Sequence, residues 1–551
     1  MAAPIRIGDL LLAQGAITQR ELNIALEHQK VTGAILGDLL IKLGFVTAAE
    51  FARTIATQSG IDYLDLADLQ PSTDALKLFP KEVAEKAGFI PLDIVEDNRL
   101  AIGITNPSNI VAVDMVAKST GRQPRVFLVD SDQFQEKLEK SYFFVTHPIQ
   151  ERMAKIIAAI KQLTGTIPGA TIAELIELIM MDGIRKQATD IHISPSGDVT
   201  NVFYRIDGVL QHGHCLQKQA HNGLISRIKV LSQLDIAEQR LPQDGAFTYE
   251  FLSKRFDVRI STVPTIYGEN LVLRLLAGAG PLLRLESLGM ASETTRVIRK
   301  VFNKSYGIIL VAGPTGSGKT TTLYAALREL NRLERNVITV EDPVEYRLSF
   351  VKQSQVNEKA GFDFSLAARN FMRQDPDVML LGEIRDESTA QIAVRAAITG
   401  HLVISTIHTN DAITAVPRLL DLKVDSFLLS SALAAVIAQR LVRKVCRNCR
   451  EEYLLSEDER RMFDAHGYVM TRGKRGKGCE VCSGTGYQGR VAINEVLVLD
   501  DRVRQLVFEK ASSGSILEAA RACGMHSLLE DGLLKAAEGV TTIEEVLRVA
   551  G

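Results

Sequence analysis

The sequence predicts a multidomain α/β protein centred on a mostly parallel sheet, with an α+β domain, a small α+β adaptor and an N-terminal helical repeat ahead of it. Three observations predict this. Residues 313–320 read Gly-Pro-Thr-Gly-Ser-Gly-Lys-Thr between the apolar run Gly307–Ala312 and a helix-forming stretch, Thr321–Leu330. Three further short apolar runs, 337–340, 378–381 and 402–406, each give way to polar residues, as buried strands alternating with helices do. Residues 6–58 repeat with a period of 29. At 551 residues the chain exceeds what one core organises, and length alone implies roughly three to four domains.

The glycine-rich segment is a P-loop in its proper setting. A strand, a glycine turn and a helix N-terminus aim several backbone N–H groups at one spot, which favours a polyphosphate over the alternative of an ordinary tight turn. Gly313, Pro314, Thr315, Gly316, Ser317, Gly318, Lys319, Thr320 and Thr321 therefore form the expected ATP site. Lys319 reaches the β/γ-phosphates, and the Thr320 hydroxyl holds Mg²⁺.

Parallel sheets place their ligands at the carboxyl ends of strands, and three charged clusters land there. Glu341-Asp342-Pro343-Val344-Glu345 follows the first run, Gly382-Glu383-Ile384-Arg385-Asp386 the second and His408-Thr409-Asn410-Asp411 the third. Hydrolysis of a phosphoanhydride needs charge compensation and a carboxylate to orient water, so Glu341 and Glu383 are the candidates, Glu341 also beside the metal. An aspartate that supports the metal is usual at the step Gly382 occupies.

Four of six cysteines fall as Cys446-x2-Cys449 and Cys479-x2-Cys482. Four thiolates at this spacing close a tetrahedron, so Zn²⁺ is expected, with redox chemistry or plain thiols as alternatives. The 29 residues between the pairs require a loop or short helix. Net charge of −2 and 24% charged residues argue against a protein devoted to nucleic acid. No run approaches the ~20 apolar residues that span a bilayer, so a cytoplasmic protein is expected.

Five segments are expected: a helical repeat over 1–63, an α+β adaptor over 64–142, a linker over 143–170, an α+β domain over 171–283, and a motor domain over 284–551 with a zinc insertion at 446–482. In the repeat, Arg6-Ile7-Gly8-Asp9-Leu10-Leu11-Leu12 aligns with Ile35-Leu36-Gly37-Asp38-Leu39-Leu40-Ile41, Gly15 with Gly44 and Gln29 with Gln58. Each copy reads as two short helices, with Thr18 and Thr47 as N-caps. The linker rests on a weak pattern and the Pro/Gly cluster near 164–170.

The set GPTGSGKT, ITVEDPVEY, RQDPDVMLLGEIRD and GHLVISTIHTNDA resembles the secretion ATPases of type II secretion systems and type IV pilus assembly. The resemblance covers residues 171–551 densely and implies a RecA-like motor preceded by a PAS-like domain. It implies Glu383 as the catalytic carboxylate, Glu341 in an acidic box, and His408 sensing nucleotide or coupling its state to an interface, a structural histidine being the alternative. By the same resemblance Arg369 and Arg373 face phosphate, while Arg205, Arg227, Arg259 and Arg274 close over nucleotide. The repeat resembles an N-terminal cyclic-di-GMP-binding domain of this family, in which each copy holds half of the ligand. Arg6, Gly8, Gly15, Gln29, Gly37, Gly44 and Gln58 are the residues implied, with Ile35 departing from Arg6 in the second copy and a purely structural module as the alternative.

What the resemblance implies as a whole is a homohexamer on the inner face of the inner membrane. It is held there through an inner-membrane platform protein and the cytoplasmic part of a membrane assembly protein, without nucleic acid. Retraction motors of the family are shorter and lack the N-terminal domains and the cysteine insertion. The paired cysteines favour type II secretion over pilus extension, and a nucleic-acid translocase or a non-hydrolysing nucleotide sensor fits the charge and the intact carboxylates less well.

Overall fold

The structure is a computed structural model that describes residues 6–67, 69–95, 98–163, 165–277, 284–330 and 333–551. The chain divides into two compact units, residues 1–281 and 282–551.

In the first unit α1 (Ile7–Ala13), α2 (Gln19–Thr32), α3 (Leu36–Lys42) and α4 (Ala48–Ser59) are the two copies of the repeat. Thr18 with Glu21 and Thr47 with Glu50 form matching capping boxes. Gly15 and Gly44 lie at φ +67° and +72°, where a Cβ is strained. Gly8 and Gly37 serve the packing of each helix pair. A Cβ on Gly8 would stand 3.0 Å from Leu22, and one on Gly37 2.3 Å from Phe51. At both glycines the close approach in this structure is made by the partner helix.

The adaptor follows with α5 (Thr73–Leu76), α6 (Lys81–Ala87), β1 (Phe89–Val95), β2 (Arg99–Ile104), α7 (Ile110–Thr120), β3 (Pro124–Leu128) and α8 (Ser131–Thr146). Ala52 and Ala56 of α4 share one apolar cluster with Phe89, Ile102 and Leu138. The repeat and the adaptor are thus joined by a common core, with no gap at residue 63.

The stretch 143–170 differs from the expected linker. It holds α9 (Ile149–Gln162), whose Ile149, Met153, Ile156 and Ile160 are buried with Ile172, Leu175 and Ile179 of α10 (Gly169–Arg185). That i, i+4, i+7, i+11 stripe is a helical face, and the Pro/Gly cluster after it concealed the signal. The module continues with β4 (Asp190–Ser196), β5 (Val199–Ile206), β6 (Val209–Gln217), α11 (Gln219–Leu231), β7 (Gln243–Phe251), β8 (Lys254–Thr265) and β9 (Gly268–Ala277). Its sheet is antiparallel in the order β6-β5-β4-β9-β8-β7. Ile191, Tyr204, Val258 and Leu273 point from it into the core that α10 and α11 cover. The alternate residues therefore line the opposite face.

The second unit contains α12 (Ser292–Phe302), β10 (Gly307–Ala312), α13 (Lys319–Glu329), β11 (Val337–Glu341), β12 (Val351–Gln355), α14 (Phe364–Phe371), β13 (Val378–Leu381), α15 (Glu387–Ile398) and β14 (Leu402–Ile407). Next come α16 (Ala415–Asp421), α17 (Ser426–Ala432), β15 (Leu433–Val445), β16 (Arg450–Leu454), α18 (Glu457–Ala465), β17 (Arg472–Gly476) and β18 (Tyr487–Val498). The unit ends with α19 (Asp501–Phe508), α20 (Ser513–Ala522), α21 (Leu528–Ala537) and α22 (Ile543–Ala550). Its sheet runs β12-β11-β13-β14-β10-β15-β18, parallel except at β15/β18. Ile308, Leu310 and Met379 face one core, and Ile309, Val311 and Leu380 the other. Burial on both faces is why these strands read as continuous apolar runs. Among the described residues no helix is long and apolar enough to cross a membrane.

Candidate active site and metal centre

After β10 the chain turns through Gly313, Gly316 and Gly318, at φ +146°, +79° and +87°, and α13 opens at Lys319. A Cβ on Gly313 would lie 2.6 Å from the Gln439 carbonyl and the Ser317 hydroxyl, so only glycine fits the turn. Gln439 of β15, fully buried, accepts from the Thr322 hydroxyl at 2.7 Å and donates to the Ser317 carbonyl at 2.8 Å. This pair of bonds fixes the loop to its helix. Sequence reasoning missed Gln439, although a polar residue directly after the apolar run Leu433–Ala438 was a signal.

Lys319 Nζ donates to the carbonyls of Gly313 and Pro314 at 2.8 and 2.9 Å. Burial lowers its pKa; the nearby charge of Glu383 opposes that, and Arg440 adds to it. Arg440 is also anchored, donating to the carbonyl and side chain of Asn410. Thr320 stands exposed on the first turn of α13, and Thr315 and Gly316 are exposed in the loop.

Gly382 has a steric reason. A Cβ there would come 3.0 Å from the Phe364 ring and 3.2 Å from the Val340 carbonyl, so the position has little room for the usual aspartate. The carboxylate stands one residue later. Glu383 pairs with Arg385 at 2.5 Å and with His408 Nε2 at 3.5 Å. The ends of β13 and β14 and the P-loop lysine thus converge, because β14 lies between β13 and β10.

Glu341 is placed differently from Glu383. It is 5% exposed and accepts from Tyr324, from Thr339 at 2.6 Å and from Gln353 at 3.1 Å. Burial and this bond to Glu341 both raise the Tyr324 pKa. Glu341 is thus engaged by three neutral donors in this arrangement. Arg369 and Arg373 are exposed at the end of α14, and Arg373 donates to Asn370 and to the Arg369 carbonyl. Among the described residues no hydrogen bond joins either arginine to the P-loop.

In the first unit three of the four expected arginines come together. Register sets Arg205 and Arg274 on either side of Asp190, and Arg259 opposite Arg274. Arg227 is apart from them, exposed on α11 over the other face. In the repeat Arg6 is exposed as the N-cap of α1, and Gln29 donates to the Ala34 carbonyl at 3.0 Å across the junction of the copies.

The four cysteines converge as their spacing predicts, with all four Sγ atoms within 4.8 Å of one another. Cys446–Cys479 and Cys449–Cys482 are 3.8 Å apart and Cys479–Cys482 3.7 Å. Zn–S bonds of about 2.3 Å in a tetrahedron put sulfurs about 3.8 Å apart, so the set fits zinc. Burial pushes the Cys446 thiol up to about 12. Burial also pushes on Cys482, but N–H groups of Cys479 and Gly486 outweigh it and bring that thiol to about 7. The intervening residues form the β16/β17 hairpin with α18 inserted.

A RecA-like sheet with a P-loop lysine facing a carboxylate defines an ATP hydrolase. The profile of the Type II/IV secretion system protein family matches residues 168–548, and the chain belongs to that family. A second profile, the MshEN domain, matches residues 59–143, which covers the adaptor and stops short of most of the repeat. The chain is 37% identical to the type IV pilus assembly ATPase PilB of Myxococcus xanthus, covering 98% of both chains. It is 37% identical to the type II secretion system protein E of Xanthomonas campestris, over 100% of this chain and 99% of that one. It is 47% identical to the type II secretion system protein HxcR of Pseudomonas aeruginosa, over 72% of this chain and 81% of that one. The protein is accordingly an ATPase of secretion or pilus assembly.

Proposed function

We propose that the chain works as a homohexamer on the cytoplasmic face of the inner membrane, hydrolysing ATP to assemble a pseudopilus in type II secretion. The observation that carries the hydrolytic part is the meeting of Lys319, Glu383 and His408 at adjoining strand ends. Backbone N–H groups of the loop and Lys319 hold the phosphates, and Thr320 holds Mg²⁺, which when bound neutralises phosphate charge. Glu383 orients the attacking water and takes its proton. His408, held to Glu383, couples the state of that carboxylate to the loop 408–412. Glu341 stands beside the metal once it leaves Tyr324, Thr339 and Gln353, and Arg369 and Arg373 face phosphate, Arg373 after leaving Asn370. Arg205, Arg259 and Arg274, with Arg227 in a separate role, complete the charge when their module closes over nucleotide.

The higher identity to a type II secretion protein, 47% over 72% of the chain, supports that pathway. Pilus extension is the second reading, supported by the end-to-end match to a pilus assembly ATPase. A strain lacking the gene separates them: loss of secreted proteins with pili intact is expected, and loss of pili with secretion intact assigns the second reading. Contact with the membrane runs through a platform protein and the cytoplasmic part of an assembly protein.

The repeat and adaptor bind cyclic-di-GMP in this reading. Arg6 offers charge to phosphate or a plane to guanine, while Ile35, at the matching helix start, is 71% exposed and offers only apolar surface. One half of the ligand is therefore held more weakly. Calorimetry on the full chain should give heat at micromolar cyclic-di-GMP that Arg6→Ala together with Gln29→Ala removes. No heat in the parent chain assigns these helices a docking role instead.

A further inference from the structure

The open face of the six-stranded sheet carries a row of charges around one carboxylate. Asp190 on β4 is flanked in register by Arg205 on β5 and by Arg274 on β9. It is 6% exposed. A carboxylate so withdrawn from water is stable only when compensated, and the compensation is complete: Thr189 Oγ1 donates at 2.8 Å, Arg274 Nε at 3.0 Å, and Arg205 Nε lies at 3.6 Å.

The atom each arginine uses matters. Both approach Asp190 through Nε, the inner nitrogen of the guanidinium. An arginine pinned there keeps its terminal nitrogens for a second acceptor while losing most of its rotamer freedom. Arg274, with its side chain 55% exposed, presents both terminal nitrogens from the open face. Arg205 uses one on the Gly208 carbonyl at 3.2 Å, and among the described residues the other makes no hydrogen bond. The core residues Ile191, Tyr204 and Leu273 point the other way, so nothing of α10 or α11 covers the pair.

We propose that Asp190 is a positioning residue for ATP hydrolysis, which aligns Arg205 and Arg274 so that a polyphosphate brought to this face meets two pre-set guanidiniums. This rests on the reading that these arginines meet nucleotide phosphate. Holding them in advance removes an ordering cost from the step in which charge develops on the phosphoryl group. A lysine does not replace either arginine, because its ammonium is one point charge on a flexible stem, without a second set of donors that pairing with Asp190 would hold in a fixed direction toward a phosphate.

The test is steady-state hydrolysis by the full chain carrying Arg205→Ala, Arg274→Ala, Arg274→Lys, Asp190→Asn, Asp190→Glu, or Asp190→Asn with Arg274→Ala. Arg274→Ala should lower kcat about tenfold or more with KM for ATP little changed. Asp190→Asn should lower kcat about tenfold, with Asp190→Glu recovering part of the loss. The double variant should lose clearly less than the product of the two single losses, since the alignment of Arg274 is removed by either change and only that of Arg205 remains to be lost. Arg274→Lys, which keeps the charge, should resemble Arg274→Ala and decides the question even where Asp190→Asn does not fold. Unchanged rates in both arginine-to-alanine variants overturn the nucleotide reading of these arginines, and this proposal with it. A loss in Arg274→Ala beside a normal rate in Asp190→Asn or Arg274→Lys, or losses that multiply in the double variant, overturns the role of Asp190 alone.

Discussion

Glu383→Gln should retain Mg-ATP binding and lose turnover by about 10²–10⁴-fold, the range for removing a positioned general base. The substitution keeps the shape of the side chain and deletes its charge. The half-buried Lys319 then loses the carboxylate that opposes its desolvation, while Arg385, 69% exposed, is freed into water. Binding depends on the loop N–H groups and Lys319, which the change leaves in place, so nucleotide affinity stays within a few-fold. Lys319→Ala should do the reverse and abolish tight binding. Measuring affinity and steady-state hydrolysis on both variants separates the two roles. Full activity in Glu383→Gln would move the catalytic carboxylate to Glu341, which would first have to leave Tyr324, Thr339 and Gln353.

Zinc should be found at about one atom per chain, and Cys446→Ser should lose it. Structural zinc in small peptides contributes about 10–16 kcal/mol of apparent binding free energy at neutral pH, all of it folding energy where no site exists beforehand. Here the insertion has a second support. Leu455 and Phe463 share an apolar cluster with Leu533, Ile543 and Val546 of α21 and α22. Without zinc, amide exchange should therefore rise across 446–482 and extend into those two helices, while ATP binding at the P-loop persists. Because the ligands must be thiolates, and burial holds the Cys446 thiol up at about 12 when it carries a proton, zinc retention should weaken as pH falls. Elemental analysis that finds no zinc in protein purified without chelator overturns the assignment.

Much of the site was legible because its signals are local. The P-loop is a run of glycines whose positive φ angles only glycine adopts without strain, and it can be read from eight residues. The strand ends at Glu341, Glu383 and His408 follow from apolar runs meeting polar residues, and two CxxC pairs state their own ligand number. The capping boxes of the repeat are equally local, since Thr18 and Glu21 lie in one helical turn. The helix α9 was legible too, but its four buried residues were outweighed by the Pro/Gly cluster beside it.

What the tertiary structure alone decided are the partners across long sequence separations. That Gln439 holds a loop more than a hundred residues earlier, that Phe364 fills the space beside Gly382, and that Glu341 is engaged by Tyr324 and Gln353 depend on which elements pack together. Gly8 and Gly37 look alike in sequence, and only the tertiary structure shows that Leu22 and Phe51 pack against them. Arg205, Arg259 and Arg274 are merely arginines on strands until register sets them beside one another around Asp190, and leaves Arg227 on a helix over the opposite face. Local propensity and ligand spacing are properties of a few neighbouring residues and survive in any context. Cross-strand register and the filling of a core are fixed by the whole sheet at once, so no window of sequence contains them.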